Sequence, residues 1–128
     1  MPAKKQLSIS LPNRPGTLAR LARVLGDAKV NITGFSAATS GPKGNVQVIV
    51  SHANRAKKAL RAAGLSCKET EVLHVQLPNR PGSLARFAGK LAAKGINITG
   101  AYATTLGGQK RGCIVFEVSN IKRAARVR

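Results

Sequence analysis

Two asparagines eighteen positions apart occur twice in this chain, as Asn13 and Asn31 and again as Asn79 and Asn97. The first of each pair opens an Asn-Arg-Pro-Gly turn that runs into Gly16-Thr17-Leu18 or Gly82-Ser83-Leu84. The chemistry these types could do is the capture of a small zwitterion. A free amino acid presents a carboxylate and an ammonium group. The start of a helix offers unpaired N–H groups and a partial positive charge, a seat for the carboxylate. An Asn side chain carries both a donor and an acceptor, so it can meet either end of the ligand. Gly16 and Gly82 remove the Cβ that would block close approach. The same residues also make a good turn unaided, and an Asn that opens a strand can bond the last carbonyls of the helix before it.

Other chemistry finds little support. The carboxylates are Asp27, Glu69, Glu71 and Glu117. Glu69 and Glu71 share one side of a strand with no third group beside them, so no catalytic residue is assigned and no enzyme is expected. Cys67 and Cys113 cannot build a zinc cluster alone and read as small buried apolar residues. His52 and His74 fall in different halves of the chain, so no metal site is expected. The segments Gly41–Gly44 and Gly107–Gly112 lack the Gly-Lys-Ser/Thr ending of a phosphate-binding loop, so they read as turns, and no cofactor is implied.

The elements that must position the asparagines follow from an internal repeat. Residues 11–20 return as 77–86 with nine of ten positions identical, at an offset of 66. Beyond the Gly107-Gly108 region the offset grows to 68, so the second copy has two extra residues there. In each copy an alternating strand (Leu7, Ile9, Leu11; Leu73, Val75, Leu77) leads into a helix opened by Pro15 or Pro81. That helix carries an apolar stripe, Leu18, Leu21, Ala22, Leu25 or Leu84, Phe87, Ala88, Leu91. A hairpin follows, with strands starting near Asn31 or Asn97 and third strands at Val46–Val50 and Ile114–Val118. Residues 54–63 form a second helix closed by Gly64, and residues 66–71 a fourth strand that runs into the next copy. The order is βαββαβ, the split-βαβ sandwich. Arg128 aligns with Leu60, so the second copy lacks its last strand, and the edge beside residues 72–77 is expected to be open.

This signature, a strand ending in Leu-Pro-Asn-Arg-Pro-Gly-Thr-Leu followed by Asn-Ile, resembles the ACT domain, named after aspartate kinase, chorismate mutase and prephenate dehydrogenase. The resemblance implies an α+β fold of two tandem ferredoxin-like βαββαβ units, residues 6–71 and 72–128, with antiparallel sheets paired side by side and the second unit truncated. It implies a non-catalytic regulatory protein that binds a small amino acid at the interface between its units. Asn13, Asn31, Asn79 and Asn97 match the family's ligand-contacting asparagines, and Gly16 and Gly82 its close-approach glycine. Members that bind serine carry a His two positions before the loop Asn, where this chain has Leu11 and Leu77. A helix of about 12 residues spans roughly 18 Å. Asn13 and Asn31 therefore sit at opposite ends of one unit, and a shared ligand needs Asn13 with Asn97 and Asn79 with Asn31.

Charge points elsewhere. With 22 Lys and Arg against 4 Asp and Glu, the net charge is +18. The basic residues divide evenly, eleven in each half of the chain. Sheet positions away from the helices would be Ser8, Ser10, Gln47 and Ile49, then His74, Gln76, Val115 and Glu117. None is aromatic, so a base-stacking platform is missing and specific nucleic-acid recognition is not expected. Sequence-independent electrostatic binding is the weaker alternative, through Arg14, Arg20, Arg23, Arg80, Arg86 and Lys90. A ligand-free oligomerisation or interaction module is the other alternative. No apolar run is long enough for a membrane span and no signal peptide is visible, so the expectations are a cytoplasmic protein, no membrane partner, and a homodimer or higher oligomer.

Overall fold

The computed structural model describes residues 3–104 and 107–127. Its elements are β1 (Ala3–Pro12), α1 (Thr17–Asp27), β2 (Ile32–Ser40), β3 (Lys43–Val50), α2 (Ala53–Ala62), β4 (Cys67–Pro78), α3 (Ser83–Ala93), β5 (Ile98–Ala103), β6 (Arg111–Val118) and α4 (Ile121–Ala124). The expected fourth strand of the first copy and first strand of the second are one unbroken strand, β4.

Two compact units result. The first comprises residues 5–70. In it β3 pairs antiparallel with both β1 and β2, in registers that include Leu7↔Val48 and Phe35↔Val48. The alternating leucines of β1 face one side, where Leu7, Ile9 and Leu11 pack with Leu21 and Leu25 of α1 and Ala56 and Leu60 of α2. The end of α2 is a Schellman closure: Leu65 N–H donates to Leu60 O across 2.8 Å, and Gly64 takes φ 76°.

The second unit comprises the described residues from Glu71 onward together with Ala3 and Lys4. Here β6 pairs antiparallel with β4 and β5, including Leu73↔Phe116 and Ala101↔Phe116. Its core joins Leu73, Val75 and Leu77 to Phe87, Leu91 and Phe116, with the Phe87 and Phe116 rings 5.1 Å apart. The chain's last turn supplies Ala124 and Val127 to the same core. The N-terminal end of β1 belongs to this unit, so the edge expected to be open has chain of its own beside it. The physical reason is length: β1 has ten residues, and its pairing with β3 uses only Leu7–Pro12.

Three local expectations are corrected. Helices α1 and α3 begin two residues after Pro15 and Pro81, with Gly16 and Gly82 as N-caps. Leu18 and Leu84 follow the helical period yet stand 41% and 55% exposed and belong to neither core. Ile49 and Val115, placed on the face away from the helices, are buried, although neither belongs to a helix-side core.

Candidate functional site

The loop between β1 and α1 is built by Asn13. Its backbone N–H donates to Pro42 O (2.9 Å) and its side-chain Nδ2 donates to Gly41 O (2.9 Å). Two bonds from one residue thus clamp the loop to the β2–β3 turn. Asn79 repeats the clamp on Lys110 O (2.9 Å) and Gln109 O (2.8 Å). The two-residue insertion has moved the accepting carbonyls, and the bonds have followed them. Each side-chain amide N–H₂ is thus committed in part to structure, which leaves the Oδ1 acceptor for a ligand.

Gly16 and Gly82 both adopt φ 89°, ψ −11°. This left-handed conformation accounts for glycine here, since L side chains rarely tolerate it. Crowding does not: a Cβ at Gly16 would meet nothing within 4 Å. No side chain caps α1 or α3 and no acidic residue sits in either first turn, so the helix starts keep their positive polarity.

The hydroxyls after the glycines behave differently. Thr17 Oγ1 donates to Arg14 O at 3.1 Å. Ser83 is buried, and its Oγ has no hydrogen-bond partner among the described residues.

The second asparagines lie elsewhere in their units. Asn31 N–H donates to Ser51 Oγ (3.0 Å) and Ser51 N–H returns a bond to Asn31 O (2.9 Å). Asn97 and Ser119 repeat both bonds at 3.0 and 2.9 Å. Asn31 therefore sits at the open end of the β2–β3 hairpin while Asn13 grips its turn. Both second asparagines are exposed, and their side-chain amides form no hydrogen bond among the described residues. Ser51 and Ser119 were not singled out from the sequence; their match at the 68-residue offset is the signal that could have found them.

Beside the first loop is a cavity of about 430 Å³. It brings together Asn13, Thr17 and Leu18 with Ala37, Ala38, Thr39 and Asn45 of the hairpin. Asn31 is not among its lining residues. On the loop's other flank a recess of about 530 Å³ is lined by Arg14, Gly16, Thr17 and Arg20. Leu11 and Leu77, at the position where a His would be diagnostic, are buried core residues.

Three of the remaining reactive groups, His74, Cys113 and Glu69, are held in neutral or paired forms. Cys113 is not a buried core residue as expected: it is half-buried, with Sγ 3.1 Å from His74 Nε2. Burial, and then the Lys4 charge, push the His74 imidazole down, while burial pushes the Cys113 thiol up. Both shifts favour a neutral thiol beside a neutral imidazole, not the thiolate that nucleophilic chemistry uses. Glu69 pairs with Lys57 (3.1 Å) and Lys5 (3.6 Å), and hydrogen bonding to Lys57 holds its carboxyl below the usual range. No cluster of three or more His, Cys, Asp or Glu suited to a metal occurs among the described residues, and no helix there is long and apolar enough to cross a membrane.

Comparison with known proteins places this geometry in context. The family described as an ACT domain pair matches residues 3–128. No curated protein matches the chain. Among solved structures, protein BT0572 from Bacteroides thetaiotaomicron is 31% identical, with a TM-score of 0.90 over 96% of this chain and 84% of its own. The regulatory subunit of aspartate kinase from Thermus thermophilus is 16% identical, with a TM-score of 0.70 over 98% of this chain and 94% of its own. That from Thermus flavus is 17% identical, with a TM-score of 0.66 over 94% and 85%. At these lower identities the two subunits show a shared fold.

Proposed function

Because the chain belongs to the ACT domain pair family, we propose that it is a non-catalytic regulatory protein whose effector is a small amino acid. The observation that carries this reading is the duplicated loop. Gly16 and Gly82 hold the same dihedral angles, and each precedes an uncapped helix start with an exposed leucine in its first turn. An uncapped helix start suits a carboxylate and the neighbouring leucine an apolar side chain. Residues Asn13, Gly16, Thr17 and Leu18, and Asn79, Gly82, Ser83 and Leu84, supply this half of the site.

Asn31 and Asn97, whose side-chain amides have no hydrogen-bond partner among the described residues, supply the other half. Asn13 and Asn31 stand at opposite ends of one hairpin, so a single ligand needs an asparagine of each kind from two different units. Two copies of the chain could provide them as well as one, which makes a dimer or higher assembly part of the proposal. A ligand held in this way would favour whichever arrangement of units it fits best, and a partner could read that bias.

The test is a thermal-shift screen over the twenty amino acids. An effector that binds the folded state raises the melting temperature. If none does so, the reading gives way to a ligand-free assembly module.

A further inference from the structure

We propose a second binding surface: the helix layer of the first unit docks the phosphate backbone of double-stranded nucleic acid without reading its sequence. The first unit carries eleven Lys and Arg against only Asp27 and Glu69. Glu69 is already occupied by Lys57 and Lys5. Arg20, Arg23, Lys29, Arg55, Lys58 and Arg61 are all exposed and all lie on, or just after, α1 and α2. Asp27 is the one acidic residue on these two helices.

Two of the cations are held in place. Arg20 Nη2 donates to Ala63 O, beyond the end of α2, at 2.6 Å. Arg55 Nη1 donates to Lys29 O, beyond the end of α1, at 3.1 Å. Each guanidinium keeps further N–H groups for a second acceptor, and fixing it beforehand lowers the entropy cost of binding. Arg23 is directly opposite Leu21 and Leu25 on the helical wheel, and Lys58 opposite Ala56 and Leu60. These are the outermost positions of the layer.

The chemistry of the face selects the partner. Most of its apolar stripe is consumed by the core, with Leu21, Leu25, Ala56 and Leu60 at most 1% exposed, and Leu18 is the one large apolar side chain these two helices leave exposed, too little to enter a bilayer. Neither helix carries an aromatic residue, the usual anchor of a protein interface. What remains is a guanidinium-rich field, and guanidinium pairs with phosphate in a bidentate way. Without groups aimed at base edges, the contact specifies no sequence.

The test is fluorescence anisotropy of a short labelled mixed-sequence DNA duplex over a salt series. Each neutralised phosphate contributes about 0.9 to the log–log salt slope, so six cations predict a slope of about −5. The Arg23→Gln/Lys58→Gln double variant is expected to flatten it by about 2. Lys43→Gln/Lys68→Gln removes the same charge from exposed positions outside the helices and is expected to leave the slope unchanged. Thermal midpoints within a degree or so of wild type confirm that both variants fold. Failure to saturate at low salt overturns the proposal. So does equal flattening in both variants, which would reduce the effect to net charge. Tighter binding to polyglutamate or to phosphatidylglycerol vesicles, or a strong preference among duplexes, also overturns it.

Discussion

Asn13 donates its side-chain amide to Gly41 O, twenty-eight residues away, while the Asn31 side-chain amide in the same unit forms no hydrogen bond among the described residues. Two residues of one type, in one motif, thus do different work. Replacing Asn13 with Ala removes the clamp on the hairpin turn. The expected cost is about 0.5–1.5 kcal/mol in urea denaturation. Asn31→Ala is expected to stay within about 0.5 kcal/mol of wild type while reducing the thermal shift given by the effector. Equal destabilisation by both would remove the distinction.

Gly16 is required by its backbone angle. Gly16→Ala has room for the new methyl group, yet the φ of 89° remains. The expected loss is about 1–2 kcal/mol, as for any L residue forced left-handed. Gly82→Ala is expected to match it, since the dihedral angles are the same. A neutral result in denaturation would show that the loop can relax.

Lys29 adopts φ 61° just after α1, where the second unit has Gly95 at φ 69°. The repeat thus suggests its own improvement. Lys29→Gly is expected to stabilise the protein by about 0.5–1 kcal/mol, the relief of left-handed strain less the entropy glycine adds to the unfolded chain. The Arg55 bond is made to the Lys29 carbonyl and survives the change. A lower denaturation midpoint would contradict this.

Tyr102 is the chain's one tyrosine, so its ionisation can be read directly by ultraviolet absorbance. Burial, then the charges of Glu117 and Cys113, push its phenol from 10.0 up to about 12. A raised folded-state value means the stabilisation is fully present below the unfolded value and is lost as pH climbs from 10.0 through about 12. The folded protein is expected to titrate well above the same chain in denaturant. Coincident titration curves would refute the burial of the phenol.

Much of the architecture was legible because it is written in short-range periods. Leu7, Ile9 and Leu11 alternate on a two-residue period, and Leu21 and Leu25 recur at a helical spacing. Their repetition at Leu73, Val75 and Leu77 and at Phe87 and Leu91 makes the βαββαβ order plain. Periodicity misled at Leu18 and Leu84, which belong to the stripe by spacing but stay exposed outside the cores. It was also silent about Cys113, whose neighbour His74 is distant in sequence.

By itself, then, the sequence determined the duplication, the element order and which loops carry the candidate asparagines, since each depends on residues near one another in the chain. Tertiary structure decided how the asparagines divide their work, why Gly16 is glycine, and that Ala3 and Lys4 join the second unit. Those outcomes depend on which backbone groups distant segments bring within reach. Asn13 and Asn31 are the same residue until the fold sets a carbonyl of the hairpin turn beside only one of their amides.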